Sequence, residues 1–378
     1  MKKIPLAIPH MSGNEMAYIE HAFNTNWIAP VGPNVDLFEK KISSYTLSHV
    51  AATSSGTAAI HLALIVLGVT AGDHVFCPSF TFSASANPIH YQGAEAVFID
   101  SEIISWNMSP VALEKALLDA KKRNKLPKAV IVTHIYGQPA KMTEILEITE
   151  AYGVPVIEDA AESLGSTYKG MQTGTIGSLG IYSFNGNKII TTSGGGMLVS
   201  QNETLIQEAK FLSEQAKEPA PYYQHEKIGY NYRLSNISAG IGCGQIEVLD
   251  ERIMQKRCIF AMYQEAFSEL NFQQELPDTF SNRWLTAIQS ERLNPLLLKN
   301  KLGSEGIEGR LLWKPLHMQP VYKSNSFYSE RNTGEKSSAQ ILFETGFCLP
   351  SATQMTQDEQ WSVIQKVSEF MELKGNII

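Results

Sequence analysis

Cysteine is scarce in this chain, and the few that it has form no recognisable framework. Cys77, Cys243, Cys258 and Cys348 are far apart, and no two of them make a C-x-x-C pair. Such spacing is typical neither of a disulfide-stabilised domain nor of a zinc site. We interpret all four as buried thiols in a reducing compartment.

Positive charge is also in short supply. The 378 residues include 31 Lys and Arg against 38 Asp and Glu, which gives a net charge of −7. This balance lacks the basic surface that is typical of nucleic-acid binding, so we expect no nucleic-acid partner.

No apolar run is long enough to span a membrane. The longest, residues 58–69, contains His61 and is well short of the roughly 20 residues that a bilayer requires. The first ten residues carry two lysines, but Pro5 and Pro9 interrupt any apolar segment of the kind a signal peptide needs. We therefore expect a cytoplasmic protein with no membrane partner.

Several common catalytic and nucleotide-binding motifs are missing. Gly174, Gly177 and Gly180 do not form G-x-G-x-x-G, and Lys188 is not followed by the Ser or Thr of a P-loop. The chain also has no G-x-S-x-G elbow and no H-E-x-x-H. These absences argue against a nicotinamide-dependent oxidoreductase, a P-loop ATPase, an α/β-hydrolase and a zinc protease.

What the chain does contain is a regular alternation of strand-like and helix-like segments. This spacing predicts an α/β fold, with a mostly parallel sheet covered by helices on both faces. The predicted helices are a helix from about residue 35 and those at 58–67, 83–91, 110–123 and 141–152. The predicted strands are 74–77, 94–99, 129–133, 154–157, 179–184 and 197–200.

After residue 200 the pattern changes. We predict a helix over 203–217, a polar aromatic loop over 218–232 and a long helix over 238–270, followed by mixed short strands and helices. A chain of this length suits two domains. We place a large domain at 1–240, with an irregular N-terminal loop at 1–35, and a smaller α+β domain at 241–378.

The stretch from Ser183 to Gly196 holds one lysine, Lys188, between two strand-like runs and before three glycines. A lysine in a tight turn beside buried strands can lose its ammonium charge more easily than a surface lysine, as a Schiff-base lysine must. An exposed lysine in a glycine-rich hairpin would have the same local sequence.

Two other segments could bind the phosphate and the ring of a cofactor. Gly56 and Thr57 lie where small and hydroxyl residues open an apolar helix, which suits either an anion site or a plain Ser/Thr N-cap. Phe82 follows a predicted strand and could stack on a flat ring or belong to the core.

Carboxylates follow the buried strand at 154–157, at the end where open α/β sheets bind ligands. Asp159 and the nearby Glu162 could hold a proton on a cofactor nitrogen, bind a metal or cap the next turn.

Together these segments resemble the pyridoxal-phosphate enzymes of the aspartate-aminotransferase fold (fold type I). Within that group the chain is similar to the DegT/StrS sugar-nucleotide aminotransferases, almost from end to end. The matching motifs are Ser54–Ala59, Glu158–Glu162, Ser183-Phe184 followed by Lys188, and Asn231-Tyr232-Arg233. The segment from Trp313 to Tyr322 is most similar to members that aminate UDP-4-keto-6-deoxy-N-acetylhexosamines, as in bacillosamine synthesis.

The resemblance implies a seven-stranded type of sheet, pyridoxal 5'-phosphate as cofactor and no metal. It also implies a role for each matching residue. Lys188 would bind the cofactor covalently and move the reaction's protons, and Asp159 would keep the pyridine nitrogen protonated. The remaining implied cofactor contacts are Gly56, Thr57 and Ser183 with the phosphate, Phe82 with the ring and Glu162 beside the ring oxygen.

The equivalent of Asn231 in the family reaches the cofactor phosphate of the partner subunit, so the resemblance implies a homodimer with shared active sites. For the sugar-nucleotide pocket we expect Asn26, Lys314, His317 and Tyr322, although each could equally be a surface or core-edge residue.

Two departures from the family pattern stand out. Many relatives have glutamine at the position of Glu162 and glutamate at that of Gly194. A carboxylate beside the cofactor oxygen would need a proton or a cationic neighbour. Lys188 itself favours transamination, because a sugar-dehydrating branch of the family has histidine there.

The predicted activity is a ping-pong transfer of an amino group from L-glutamate to C4 of a UDP-4-keto-6-deoxy-N-acetylhexosamine, for a bacterial surface polysaccharide or glycan. The alternatives are a dTDP-4-keto-6-deoxyhexose as acceptor and a non-catalytic cofactor-binding protein. The stereochemistry at C4 and the identity of the donor stay open.

Overall fold

Five consecutive small or β-branched residues, Ala129–Thr133, form a central strand of the main sheet, and all five are buried. A strand that is apolar on both faces requires cover on both, as in a parallel sheet between helical layers. The computed structural model describes residues 3–332 and 334–375, without the side chains of 373–375. Residues 1–2, 333 and 376–378 of the two predicted domains lie outside the described residues.

Helices and strands alternate through the first half of the chain. The helices within the described ranges are α1 (Glu15–Asn24), α2 (Pro33–Thr46), α3 (Gly56–Val66), α4 (Asn87–Tyr91), α5 (Pro110–Lys122), α6 (Met142–Glu150), α7 (Glu203–Ser213), α8 (Asn236–Ile246), α9 (Leu249–Ala266), α10 (Pro295–Ser304), α11 (Ser338–Thr345) and α12 (Gln357–Gly375).

The strands are mostly short. Within the same ranges they are β1 (His49–Thr53), β2 (His74–Pro78), β3 (Glu95–Ile99), β4 (Ala129–Thr133), β5 (Val156–Asp159), β6 (Thr167–Tyr168), β7 (Met171–Gln172), β8 (Leu179–Ser183), β9 (Gly196–Ser200), β10 (Asn271–Phe272), β11 (Thr279–Phe280), β12 (Thr286–Gln289), β13 (Arg310–Leu311), β14 (Phe327–Tyr328) and β15 (Gly346–Leu349).

The main sheet has the order β1-β9-β8-β5-β4-β2-β3-β14. The strands from β8 to β14 in this order run parallel, and β9 is antiparallel to both of its neighbours. The predicted mostly parallel sheet is therefore confirmed, and its seven strands are extended by an eighth from the C-terminal part of the chain. The other described strands form a four-stranded sheet, β10-β12-β15-β13, and a three-stranded sheet, β11-β6-β7.

Helices cover both faces of the main sheet, as predicted. Apolar residues of α3 and α7 pack on one face, and those of α5 and α6 pack on the other. A separate apolar cluster joins α9, α10 and α12 to the four-stranded sheet. The division of the chain at residue 240 stays a prediction.

The sequence-based expectation of an irregular stretch over 1–35 is wrong, because α1 lies within it and α2 begins at Pro33. Of the residues of α1 only Glu15 and Ala22 are buried, so its sequence carries little amphipathic pattern. The helix packs on α8, whose Gly244 has no room for a side chain: a Cβ there would lie 2.9 Å from the backbone nitrogen of Glu15.

Three other predicted helices differ from the structure. The helix expected over 238–270 is two helices, α8 and α9, which are separated at Glu247 and Val248. The helix expected over 83–91 is a 3-10 turn at Ser83–Ser85 followed by α4, and the one over 203–217 ends at Ser213. None of the helices in the described part of the chain has the length and apolarity of a membrane span.

Candidate active site

A cavity of about 360 Å³ opens where the parallel strands β5 and β8 end. This is the edge at which open α/β sheets bind ligands. All of the predicted catalytic and cofactor residues except Asn231 line this cavity: Gly56, Thr57, Phe82, Asp159, Glu162, Ser183 and Lys188. The structure thus brings them together, and their individual roles stay predictions.

Lys188 lies in the turn between β8 and β9 and faces the cavity. Its Nζ is 3.5 Å from Oε1 of Glu162 and 4.2 Å from the ring centroid of Trp284. Only 14% of its side chain is exposed. Trp284 is held in turn by a hydrogen bond of 2.8 Å from its Nε1 to the Asn187 carbonyl oxygen. The alternative of an exposed hairpin lysine is therefore excluded.

Asp159, at the end of β5, is buried and held in one orientation. Its Oδ2 accepts a hydrogen bond of 2.5 Å from the Ser85 hydroxyl, and its Oδ1 accepts one of 3.3 Å from the Ala161 N–H. Thr81 lies next to Ser85, with the two hydroxyl oxygens 2.9 Å apart. The cavity thus has a fixed carboxylate acceptor at its base.

The adjacent Glu158 has a structural role instead. Successive residues of a strand point to opposite faces, so its side chain lies away from Asp159. It accepts hydrogen bonds from the backbone N–H groups of Gly174, Ile176 and Gly177 and pairs with His134 Nε2 at 2.8 Å. Since His134 Nδ1 accepts from the Ala140 N–H, the ring proton is on Nε2 and the imidazole donates to Glu158.

Glu162 is the second carboxylate of the cavity. Its Oε2 accepts a hydrogen bond of 2.7 Å from the backbone N–H of Tyr136, a residue held at the left-handed φ of 55°. Burial raises the pKa of Glu162 above its ordinary value, while the Lys188 ammonium and the Tyr136 N–H oppose that rise. The described residues contain no cluster of three His, Cys, Asp or Glu side chains that could hold a metal ion.

The start of α3 is a serine N-cap that also lies at the cavity, and its role as an anion site stays a prediction. Ser55 is the N-cap, and its Oγ accepts a hydrogen bond of 3.0 Å from the Ala58 N–H. Gly56 and Thr57 come next and line the cavity, and first-turn N–H groups such as theirs have no acceptor within the helix. A Cβ on Gly196 would lie 2.4 Å from the Ser55 carbonyl carbon, so β9 and the helix start are in close contact.

Phe82 is not a core residue. Its side chain is 54% exposed at the cavity, and its ring centroid lies 5.3 Å from that of Trp313, with the planes inclined at 47°. An exposed aromatic face at a cavity wall is available to a flat ligand.

Two residues expected in the sugar-nucleotide pocket contact other side chains of the protein: Tyr322 is buried and His317 is half-buried. Tyr322 is 2% exposed, and its hydroxyl donates to the Asn87 side chain. The Nδ1 atom of His317 lies 2.6 Å from Ser79 Oγ, and the imidazole stacks on Phe327 at 3.8 Å. Neither lines the cavity, and their contact with the nucleotide sugar stays a prediction. Asn26, Lys314 and Asn231 are exposed and likewise do not line it.

Sequence reasoning missed three cavity residues that come from distant parts of the chain. Trp284 lies just before β12, Arg310 is the first residue of β13, and Trp313 follows that strand. No local motif marks Trp284 or Arg310. Trp313 lies at the start of the segment singled out for its resemblance, and its aromatic ring was the available signal.

Comparison with known proteins gives consistent matches along the chain. Residues 9–368 match the model of the DegT/DnrJ/EryC1/StrS aminotransferase family. The chain is 57% identical over 369 residues to EpsN of Bacillus subtilis (strain 168), named as a pyridoxal phosphate-dependent aminotransferase, covering 96% of this chain and 95% of EpsN. It is 35% identical to a GDP-perosamine synthase of Escherichia coli O157:H7, covering 98% and 99% of the two chains.

A solved structure is similar over the same extent. It is a DegT DnrJ EryC1 StrS aminotransferase from Brucella abortus, with a TM-score of 0.89 and 30% identity, and the match covers 95% of each chain.

Proposed function

This chain belongs to the DegT/DnrJ/EryC1/StrS aminotransferase family, and from that premise we propose that it transfers the amino group of L-glutamate to C4 of a nucleotide-linked 4-keto-6-deoxy sugar. Family membership confirms the expected pyridoxal-phosphate-dependent sugar aminotransferase and its α/β fold. The observation that carries the proposal is that the Lys188 side chain, only 14% exposed, lies in one cavity with the fixed Asp159 carboxylate.

The cavity residues fit the cofactor. Asp159 would hold the pyridine nitrogen in its protonated form, Phe82 would cover the ring, and the N–H groups of Gly56 and Thr57 with the Ser183 hydroxyl would bind the phosphate. Because Gly196 has no side chain, β9 can lie directly against this helix start, and this contact shapes the phosphate end of the cavity. When bound, the cofactor supplies an electron sink for the carbanion at the reacting carbon.

Lys188 would act as the general base and acid. Its Nζ would take the proton from the α-carbon of the amino donor in the first half-reaction and deliver a proton to C4 of the sugar in the second. The indole of Trp284 and the carboxyl of Glu162 confine the side chain to the cavity. Burial keeps bulk water away from the transferred protons.

Glu162 would serve as a hydrogen-bonding group of adjustable charge. Its raised pKa favours the protonated carboxyl, which can donate a hydrogen bond to an oxygen. Many relatives have a glutamine amide at this position. When ionised it pairs with the Lys188 ammonium at 3.5 Å.

The homodimer with shared active sites remains part of the proposal. Asn231 is exposed and lies outside the cavity of its own chain, which suits a residue that completes the site of a partner. Exposed apolar side chains, including Trp27, Tyr223 and Ile228, give additional surface for a second subunit. The cytoplasmic location also stays a prediction.

For the acceptor we favour a UDP-linked 4-keto-6-deoxy-N-acetylhexosamine, used for a bacterial surface polysaccharide or glycan. Gly194 supports this choice of acceptor. Many relatives have glutamate at that position, whereas the glycine lines the cavity and leaves space open to the sugar, since a Cβ there would meet no atom within 4 Å. Similarity to GDP-perosamine synthase supports a GDP-linked sugar as the second candidate. Asn26 and Lys314 remain proposed contacts to the nucleotide.

The test is the visible spectrum of the purified protein with pyridoxal phosphate, before and after excess L-glutamate. Bleaching of the cofactor band would support the donor half-reaction. Recovery of the band on adding the UDP-linked or the GDP-linked 4-keto sugar would then identify the acceptor. A band unaffected by any amino acid would contradict the proposed transamination.

A further inference from the structure

Arg310 is held more loosely than most arginines of the chain, because its guanidinium makes only one long ion pair, with Glu308. Its nearest carboxylate oxygen, Oε1 of Glu308, is 3.8 Å away, and the other oxygen of Glu308 accepts the Leu6 N–H at 3.2 Å. Within the described residues the Arg310 guanidinium has no hydrogen-bond partner. By contrast, Arg257 and Arg283 are both hydrogen-bonded to Glu275 and to backbone carbonyl groups.

The backbone that carries Arg310 is nevertheless fixed. Arg310 lies opposite Cys348 in the antiparallel pair of β13 and β15. The preceding Gly309 is pressed against the same strand, since a Cβ there would lie 2.3 Å from the Phe347 ring. A fixed main chain with a 45% exposed side chain, held only by the 3.8 Å ion pair to Glu308, is suited to receiving a ligand at the cavity wall.

The charges of the cavity indicate which ligand group the arginine would meet. Among the described lining residues, the carboxylates are Asp159 and Glu162, and the cations are Lys188 and Arg310. An amino donor brings at least one carboxylate into a cavity that already holds two. Lys188 has to stay free to move protons, so Arg310 is the cation left to pair with the donor, and a guanidinium matches a carboxylate with two parallel hydrogen bonds.

A second unpaired donor belongs to the same segment. The indole Nε1 of Trp313 is buried and has no hydrogen-bond partner among the described residues, although Trp313 lines the cavity. Buried N–H groups without an acceptor are uncommon in folded proteins. An oxygen-rich ligand beside β13 would give this N–H an acceptor.

We infer that Arg310 binds a carboxylate of the amino donor, with the Trp313 indole N–H at the same end of the cavity. This inference rests on the proposed function, because it assigns the donor-binding group of that reaction. It distinguishes Arg310 from Lys314, which is exposed and outside the cavity and is proposed to meet the nucleotide.

The experiment compares wild type, Arg310→Gln, Arg310→Lys and the exposed-surface control Arg292→Gln. The L-glutamate concentration that half-saturates bleaching of the cofactor band should rise about 10- to 100-fold in Arg310→Gln, the range for losing a hydrogen bond to a charged group. The half-saturating concentration for Arg310→Lys should lie between those of wild type and Arg310→Gln, because lysine keeps the charge but cannot form the two parallel hydrogen bonds. Arg292→Gln should match wild type.

A binding readout that needs no turnover accompanies the kinetics. Calorimetric titration with maleate, a dicarboxylate that cannot donate an amine, should show weaker binding to Arg310→Gln than to wild type by a similar factor. L-Alanine identifies the carboxylate: an equal loss for alanine and glutamate assigns the α-carboxylate, and a loss for glutamate alone assigns the side-chain carboxylate. Either result supports the inference.

Three results would overturn it. These are unchanged half-saturation by L-glutamate, unchanged maleate binding, or a loss confined to the half-reaction with the nucleotide sugar, which would assign Arg310 to the diphosphate. If wild type itself fails to bleach with any amino acid, the proposed function fails, and the maleate titration still decides whether Arg310 binds carboxylates.

Discussion

At the scale of single residues, the site depends on how two neighbouring carboxylates and one lysine are held. Asp159 and Glu158 differ by one position in a strand, yet one faces the cavity and the other binds backbone N–H groups in the interior. Lys188 is enclosed by Glu162 and Trp284. Local sequence marked Lys188 and Asp159 as candidates, because they lie in a tight turn and at a strand end, but the structure was needed to exclude an exposed hairpin lysine.

Replacement of Lys188 by alanine should abolish amino transfer. The proton-moving group is lost, and no other lysine lines the described cavity, so we expect a fall of about 10²- to 10⁴-fold in rate. The measurement is a single-turnover assay with L-glutamate, with protein-bound pyridoxal phosphate quantified in parallel. Retention of bound cofactor with loss of transfer is the expected pair of results, whereas substantial residual transfer would contradict the role of Lys188.

Glu162→Gln should change how stability depends on pH. Because burial raises the pKa of Glu162, the folded cofactor-free protein holds a proton there that the unfolded chain has released. Stability therefore falls as pH rises from the ordinary glutamate pKa through the raised one. Glutamine does not titrate, so the variant should lack this part of the decline.

Urea unfolding of both cofactor-free proteins across that pH range provides the check. If the two pH profiles have the same shape, Glu162 does not carry the shift described here.

At the scale of elements, the cofactor-facing start of α3 depends on close contact with β9. Sequence analysis found α3 because its apolar run is long, but it missed β1 and α1. The β1 sequence His49–Thr53 has few bulky residues, and α1 is defined by its packing on the glycines of α8 rather than by its own pattern. The break between α8 and α9 likewise has no glycine or proline to mark it.

Gly196→Ala should disturb the phosphate end of the cavity. The added Cβ would lie 2.4–2.5 Å from backbone atoms of Ser55 and Gly56, so the strand or the helix start must move, at a cost of about 1–3 kcal/mol in unfolding free energy. Pyridoxal phosphate should also bind more weakly. Both are measured by urea unfolding and by cofactor titration.

The matched control is Gly194→Ala, where a Cβ would meet no atom within 4 Å, and its unfolding free energy should stay within about 0.5 kcal/mol of wild type. Equal effects of the two substitutions would show that contact between β9 and α3 is not what makes Gly196 necessary.

At the scale of the whole molecule, the cavity combines distant parts of the chain. Trp284, Arg310 and Trp313 meet cavity residues of the first 200 positions only through tertiary packing, and no local sequence pattern marked Trp284 or Arg310. For the same reason the sequence could not predict the contacts of His317 and Tyr322, because a polar or aromatic residue in a motif gives the same signal whether it faces a ligand or the core. The family resemblance predicted the fold, whereas the contacts of these two side chains came from the structure.

Shared active sites predict complementation between an impaired variant and an inactive one. Asn231→Ala should lose about tenfold or more in transfer rate, as expected for a lost hydrogen bond to a phosphate. In a refolded or subunit-exchanged mixture with Lys188→Ala, mixed dimers would hold one intact site each. Up to about a quarter of wild-type activity should then return, given a statistical distribution of subunits.

Each variant incubated alone is the control for that assay. A mixture with no more activity than the sum of its parts, although subunit exchange is shown by mass, would place Asn231 and Lys188 in the same subunit's site.

The central claim is that Lys188 is the lysine to which pyridoxal phosphate binds, and Lys256 is the alternative to be tested against it. Lys256 is also buried, and burial lowers its pKa to about 7, but its Nζ donates to the Ser351 carbonyl oxygen and does not line the cavity. The most direct measurement is borohydride reduction of the cofactor-loaded protein, followed by mass spectrometry of its peptides. We predict the cofactor mass on the peptide containing Lys188; its presence on Lys256, or on no lysine, would contradict the account.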